Sequence, residues 1–402
     1  MNGREEAQRF LDQLRADTHR ALGTIPRRVD PVVVRELVDR LLHESFTPGQ
    51  ARDPQVRASV EQAAARSSQS LDDAFAEQLA TMQDNIEKTA SGRIQGAQLA
   101  LPRPLIGHLQ TGQINAVSMR VPGSSGGYLV LLEDEMPLFA SKLSKAVAWA
   151  IPHDPADSAG NMSFRISVDD VTERIEADPD VAHRFADIVV TYAVDGSLQR
   201  AGHHVVPPGY LNLAALLRDS LEYFVIGHEY AHILLGHLDA PVARRGVLPA
   251  ADAEALAYSW AQEIEADWMG MVLSINAGIE HEGLDIDFGF LGIGLFSDAL
   301  DVMDRAVALL QTGDENARQL GSHPPSDLRK QRLRDFLPRL AGNDPAIADG
   351  VRAALAMAEV QEEIIRLLWE RTRPELLSLR RQGVPAARTW RTIPKETGGD
   401  LS

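Results

Sequence analysis

Two histidines and a glutamate within residues 224–239 have the types and spacing that metal-dependent hydrolysis requires. His228, Glu229 and His232 stand in the order His-Glu-x-x-His inside an apolar run. On a helix, residues four apart share one face, so both histidines can direct a ring nitrogen to one ion while Glu229 lies beside the open coordination position. The spacing therefore predicts a zinc site that activates water, with Glu229 as the general base.

The helix that carries this motif is predicted to run from about Tyr210 to about His237. Apolar residues occupy most of its sides, which indicates a buried helix. A buried imidazole needs a partner, and a bound metal supplies one. The motif is short, however, and the same histidines could equally be satisfied core or surface residues. His237 lies out of register with the motif and is interpreted as a helix-terminal residue favoured by the helix dipole, not as a ligand.

A second acidic segment, WAQEIEADWMG at residues 260–270, offers the third ligand that a catalytic zinc site needs. Glu263 and Asp267 are four residues apart and share a helix face, whereas Glu265 points roughly 200° away from Glu263. Glu263 is therefore predicted to bind the metal, and Asp267 to accept the free ring N–H of a ligand histidine. Glu265 is expected to be solvated. The alternative is the acidic face of an ordinary amphipathic helix.

A third segment, SHPPSDLR at residues 322–329, places His323 before two prolines and Arg329 in the first turns of the next helix. A side chain on such a stiff loop could stabilise an oxyanion. Taken alone, such residues are more often a turn and a helix cap than part of a functional site.

Together the three segments resemble gluzincin metallopeptidases related to the CAAX prenyl protease, the heat-shock protease HtpX and the mitochondrial protease Oma. That family is recognised by His-Glu-x-x-His, a downstream Glu-x-x-Ala-Asp, and a later His-Pro followed by Arg. Here these read HEYAH, EIEAD and HPPSDLR, in the family's order. The resemblance covers about residues 211–340, and residues 1–200 carry no recognised family motif.

The resemblance implies a zincin-like fold and endopeptidase activity on a protein or peptide substrate. It implies one zinc ion held by His228, His232 and Glu263, with Glu229 as the general base. It also implies that His323 and Arg329 lie on the substrate or transition-state side. Two other readings stay open: a non-catalytic or regulatory helical protein stabilised by zinc, and a regulatory protease of the ImmA type. The presence of Glu229 favours catalysis, because a purely structural site needs no general base.

Composition limits the partners and the ligands. The chain has 57 acidic and 40 basic residues and a net charge of −17, which argues against nucleic acid or an anionic membrane surface as a partner. It has no cysteine, so His, Asp or Glu must hold any metal. No apolar run approaches the roughly 18 residues of a membrane span, and the charged first residues show no signal peptide. A cytoplasmic protein is expected, and the oligomeric state is left open.

The predicted fold class is mainly α (α+β), with a small sheet and helical additions at both ends of a zincin-like core. Alternating patterns predict strands at 113–121, 128–132 and 162–168. Because such enzymes commonly bind substrate as an added strand, the β-rich region 113–133 is a candidate edge for it. The predicted units are an N-terminal helical region (1–94), an α+β region (95–209), the catalytic core (210–342), a C-terminal helix (343–381) and a flexible tail (382–402).

Overall fold

The computed structural model describes most of the chain outside a few segments. The described residues are 3–22, 71–93, 102–124, 126–154, 163–238 except 203 and 205, 260–317, 324–342 and 344–387, with isolated positions between 38 and 58. The predicted class is confirmed at this level, since these residues form a mainly helical protein with one small three-stranded sheet.

The elements follow in chain order. The helices are α1 (Gly3–Leu22), α2 (Leu71–Arg93), α3 (Glu135–Ala150), α4 (Val168–Ala177), α5 (Pro179–Asp195), α6 (Pro208–Leu234), α7 (Trp260–Ala277), α8 (Ile286–Thr312), α9 (Ser326–Phe336) and α10 (Pro345–Arg381). The strands are β1 (Leu105–Leu109), β2 (Ala116–Arg120) and β3 (Tyr128–Glu133).

The sheet has the order β1-β3-β2, so β3 is central and β2 is an edge strand. β1 pairs with β3 in parallel, and β2 pairs with β3 antiparallel. Alternate residues of β3 face opposite sides, as strand geometry requires. Leu129 and Leu131 pack in a cluster with α1, whereas Val130 and Leu132 pack in a cluster with α2 and α6. The sheet is therefore covered on both faces.

Strand β1 was not predicted from the sequence. Because it pairs with β3 and is covered by helices, it is nearly all buried and lacks the apolar–polar alternation of a half-exposed strand. Gly107 lets α1 approach it closely, since a Cβ at this position would lie 2.6 Å from Cδ2 of Leu11. The packing partner, rather than a local pattern, makes this segment a strand.

Helix α6 lies at the centre of the helical layer and contacts α3, α7 and α8, while α10 packs along α8. Gly292 of α8 faces the backbone of α6, because a Cβ there would lie 2.4 Å from the carbonyl carbon of Ser220. A large apolar cluster from α3, α5, α6, α8 and α10 forms the main core. The motif helix is thus rigidly held on several sides.

Several predicted boundaries need correction. The strand predicted at 162–168 is reduced to an isolated bridge between His153 and Phe164, because Ser167 caps the start of α4. α6 ends at Leu234 rather than near residue 237, followed by Gly236 with φ 72°. α10 begins after the Asp344 cap and continues past Pro374 to Arg381, which matches the C-terminal helix predicted at 343–381.

Most of the predicted N-terminal region between α1 and α2 lies outside the described residues, as does the predicted tail from 388 onward. The described N-terminal helices pack against the rest of the protein, α1 on the sheet and α2 on α7 and α6. In the described parts of the chain, no helix combines the length and apolar character needed to cross a membrane.

Candidate metal centre

Glycines let α6 and α7 approach each other at the candidate site. A Cβ on Gly270 would lie 2.8 Å from the backbone nitrogen of His228, and a Cβ on Gly227 would lie 3.0 Å from the carbonyl oxygen of Gly270. Real Cβ atoms essentially never make a contact as short as 2.8 Å, and a contact of 3.0 Å is tighter than nine in ten real ones. The absence of both side chains brings the first histidine of the motif against α7.

This approach places three predicted ligands together. Nε2 of His228 and Nε2 of His232 are 3.2 Å apart. Oε2 of Glu263 lies 3.6 Å from Nε2 of His228, and its Oε1 lies 3.6 Å from Nε2 of His232. Two ligands about 2.0–2.1 Å from one tetrahedral zinc lie roughly 3.3 Å apart, so the three separations fit one shared ion. His228, His232 and Glu263 therefore could hold a metal ion.

The chemistry of the donors also fits a cation. The three side chains are 6 %, 1 % and 0 % exposed, in the order His228, His232 and Glu263. Burial would lower the pKa of His228, but Asp267 and Glu263 raise it above its usual range. Burial and the neighbouring His228 lower the pKa of His232. Two imidazoles and a carboxylate without water around them are stabilised by a positive ion between them.

Asp267 supports His228 from the same helix as Glu263. Its Oδ1 lies 2.9 Å from Nδ1 of His228, the ring nitrogen that does not face the other ligands. Burial would raise the pKa of Asp267, but the charge and hydrogen bonds of Arg329 lower it below the usual range. The structure therefore places an ionised acceptor at the atom where a metal-binding histidine carries its proton.

Arg329 of α9 forms an ion pair with Asp267. Its Nε donates to Oδ2 of Asp267 at 2.7 Å, and its Nη2 donates to Oδ1 at 2.5 Å. Arg329 is itself buried, and both of these hydrogen bonds are to Asp267. Arg329 thus supports Asp267, and its predicted place on the substrate side stays a prediction. His323, its predicted companion, lies outside the described residues.

Glu229 lies beside the edge strand. It is buried, and Ser118 of β2 hydrogen-bonds to its carboxylate through the hydroxyl and the backbone N–H. Its Oε2 has no hydrogen-bond partner among the described residues. Burial raises the pKa of Glu229, while His228 and Ser118 act to lower it. The predicted general base thus keeps one oxygen anchored and one oxygen available.

Two side chains that sequence reasoning assigned to other roles join the site. Nδ1 of His237 lies 2.9 Å from Nδ1 of His232, and Nε2 of His237 lies 3.2 Å from Oε2 of Glu265. The side chain of Glu265 is 63 % exposed, as expected, and it also contacts His237. The sequence offered one sign of the His237 contact, which is Gly236 just beyond the end of α6. Glycine near a helix end commonly reverses the direction of the chain.

Fold and site together define a mainly helical protein with a buried His-His-Glu group suited to a metal ion. Comparison with known proteins finds no matching family model, no matching curated protein and no matching solved structure.

Proposed function

We propose that this protein is a zinc-dependent endopeptidase with a zincin-like core of the gluzincin type. The observation that supports the proposal most is the position of Glu229, which lies next in sequence to His228 and has an unpartnered carboxylate oxygen. The described residues supply three ligand groups, which matches a site that keeps a position for water.

When bound, Zn²⁺ would polarise a peptide carbonyl and lower the pKa of a water molecule toward about 7. Glu229 accepts the proton of the attacking water and then delivers it to the leaving amine. Ser118 holds the carboxylate of Glu229 toward the site through two hydrogen bonds. Asp267 keeps the proton of His228 on Nδ1, which leaves Nε2 free to bind the metal.

The proposed substrate is a protein or peptide segment in extended conformation. β2 is the edge of the sheet and packs against α6, so an added strand would run along the site near Ser118 and Glu229. Backbone hydrogen bonds would give affinity in this arrangement, and side-chain pockets would give specificity.

The decisive experiment compares the wild-type protein with Glu229→Gln. Zinc content is measured by atomic absorption, and hydrolysis is measured on a library of extended peptides. Both proteins are expected to hold one zinc ion per chain, and the variant is expected to lose hydrolysis by about 100-fold or more. Glu359→Gln, at an exposed position on α10, is the matched control and is expected to retain both properties. Full activity in Glu229→Gln would rule out the peptidase mechanism.

A second candidate is a non-catalytic regulatory protein whose fold is stabilised by zinc. The burial of all four central side chains favours it, since His228 and Glu229 are each only 6 % exposed. In a purely structural site, zinc removal lowers the melting temperature while peptide hydrolysis is absent in every variant. Peptide hydrolysis by the zinc-loaded wild-type protein therefore separates this candidate from the peptidase.

A further inference from the structure

The two ligand histidines have different partners at their second ring nitrogen. Nδ1 of His228 faces the carboxylate of Asp267, whereas Nδ1 of His232 faces Nδ1 of His237 at 2.9 Å. Two imidazole nitrogens at this distance form a hydrogen bond only when one carries a proton and the other carries none. One of the two rings is therefore the donor and the other is the acceptor.

Metal binding decides which of these two histidines is the donor. A histidine that binds an ion through Nε2 carries its proton on Nδ1. Since Nε2 of His232 is the atom that faces His228 and Glu263, its Nδ1–H is the donor to His237. Nδ1 of His237 is then the acceptor, and the neutral ring of His237 carries its proton on Nε2.

The contact between His237 and Glu265 agrees with this assignment. Nε2 of His237 lies 3.2 Å from Oε2 of Glu265, and an ionised carboxylate can only accept. The opposite tautomer of His237 would direct a nitrogen lone pair at that carboxylate. A single tautomer of His237 therefore satisfies both of its neighbours.

We propose that His237 is the positioning residue of His232, accepting the Nδ1–H of His232 and donating its own Nε2–H to Glu265. This assignment rests on the proposed metal centre. It gives His232 the orientation that Asp267 gives to His228, with an imidazole in place of a carboxylate. Glu265 is the outermost of these three hydrogen-bonded residues, and its side chain is exposed to solvent.

The backbone holds His237 in this position. Gly236 adopts φ 72°, a left-handed conformation that turns the chain back after α6. The N–H of His237 donates to the carbonyl oxygen of His232 at 3.0 Å, which ties the two residues together through the main chain. His237 and Leu238 are both buried, so the turn is anchored on the protein. The turn that ends α6 therefore brings the ring of His237 into contact with the ring of His232.

The test compares two variants of similar side-chain size, one that keeps a hydrogen-bond acceptor and one that does not. His237→Asn places Oδ1 near the position of the imidazole Nδ1, whereas His237→Leu has the same shape as Asn and no acceptor. The dissociation constant for Zn²⁺ is measured on the full chain by competition with a chromophoric chelator. Loss of an outer partner typically weakens metal binding by 10–100-fold, so the Leu variant is expected to fall in that range. The Asn variant is expected to stay within about threefold of wild type, because it keeps the acceptor.

Controls separate this role from general packing. His204→Asn removes another imidazole that contacts a carboxylate, Asp187 at 3.0 Å, away from the metal centre, and is expected to leave zinc affinity unchanged. The melting temperature of each metal-free variant reports whether the fold is intact. Equal losses of affinity in the Asn and Leu variants would overturn the proposal, as would an unchanged affinity in the Leu variant.

A measurement on the wild-type protein covers the case in which a variant fails to fold. Nitrogen NMR of ¹⁵N-histidine-labelled, zinc-loaded protein is expected to show His237 protonated at Nε2 and unprotonated at Nδ1. The opposite tautomer would overturn the proposal. Neither test uses activity: a protein that binds zinc but cleaves no peptide contradicts only the proposed function, whereas a protein that binds no zinc contradicts both.

Discussion

Arg329 donates two hydrogen bonds to Asp267, and Asp267 lies 2.9 Å from the outer ring nitrogen of His228. A residue from α9 thus holds the carboxylate on α7 that faces His228, a candidate metal ligand on α6. Fork-shaped, charge-assisted pairs of this kind combine strength with defined geometry.

Arg329→Gln is therefore expected to lower the free energy of unfolding by roughly 3 kcal/mol, because it leaves the buried Asp267 without its counter-charge. Zinc affinity is expected to fall about tenfold, since Asp267 then holds His228 less firmly. Denaturant titration and chelator competition measure the two effects. Arg332→Gln, at an exposed position on the same helix, is the control and is expected to change neither. Unchanged zinc affinity in Arg329→Gln would show that Asp267 needs no support from it.

Gly270→Ala is expected to separate α6 from α7 at the metal centre. The added Cβ would lie 2.8 Å from the backbone of His228, and overpacking of this kind typically costs about 1–3 kcal/mol. The free energy of unfolding and zinc affinity should both fall, because the shift moves His228 relative to Glu263. Gly92→Ala in α2 meets nothing within 4 Å and should leave both quantities unchanged or slightly raise stability. Equal behaviour of the two alanine variants would contradict the close-approach argument.

Glu222 predicts a dependence of stability on pH that is separate from the metal centre. Burial raises the pKa of Glu222 from 4.5 to about 8, although Arg218 acts to lower it. Between these two values the folded protein keeps a proton that the unfolded chain has released, so stability falls as pH rises through this window. Gln78 donates a hydrogen bond to Oε2 of Glu222 at 2.9 Å. The side-chain oxygen of a neutral amide at this position could accept the same hydrogen bond.

Glu222→Gln should therefore gain stability relative to wild type as the pH rises from 4.5 to 8, by roughly 2–4 kcal/mol at the upper end. Urea unfolding of both proteins across this range measures the difference, with Glu359→Gln as the exposed control. A difference that does not change with pH would show that the carboxyl of Glu222 is ionised at neutral pH in the folded protein.

Ser118→Ala is expected to reduce kcat for peptide hydrolysis about 10–100-fold, the loss that follows from removing a hydrogen bond to a charged group. Zinc content should stay the same, because Ser118 hydrogen-bonds to Glu229, which is not one of the proposed metal ligands. Ser91→Ala, at an exposed position in α2, is the control. Loss of zinc together with activity would indicate that Ser118 maintains the fold of the site instead of orienting the base.

The spacing of residues along the chain was sufficient to propose the inner part of the site. His228 and His232 are four residues apart, as are Glu263 and Asp267, and helix geometry alone puts each pair on one face. Apolar periodicity and the Asp344 cap likewise placed α6 and the start of α10. These inferences depend on contacts within one helix, which the local sequence encodes.

Tertiary structure decided how those faces meet and what lies behind them. Arg329 reaches Asp267 across 62 residues, and β1 is a strand because of its pairing with β3, so neither relationship follows from a local pattern. His237 turns back onto His232 only through the left-handed conformation of Gly236, which moves a residue out of helical register into contact with a ligand. Helical periodicity specifies which residues share a face, whereas the distance between two faces depends on the packing of whole helices.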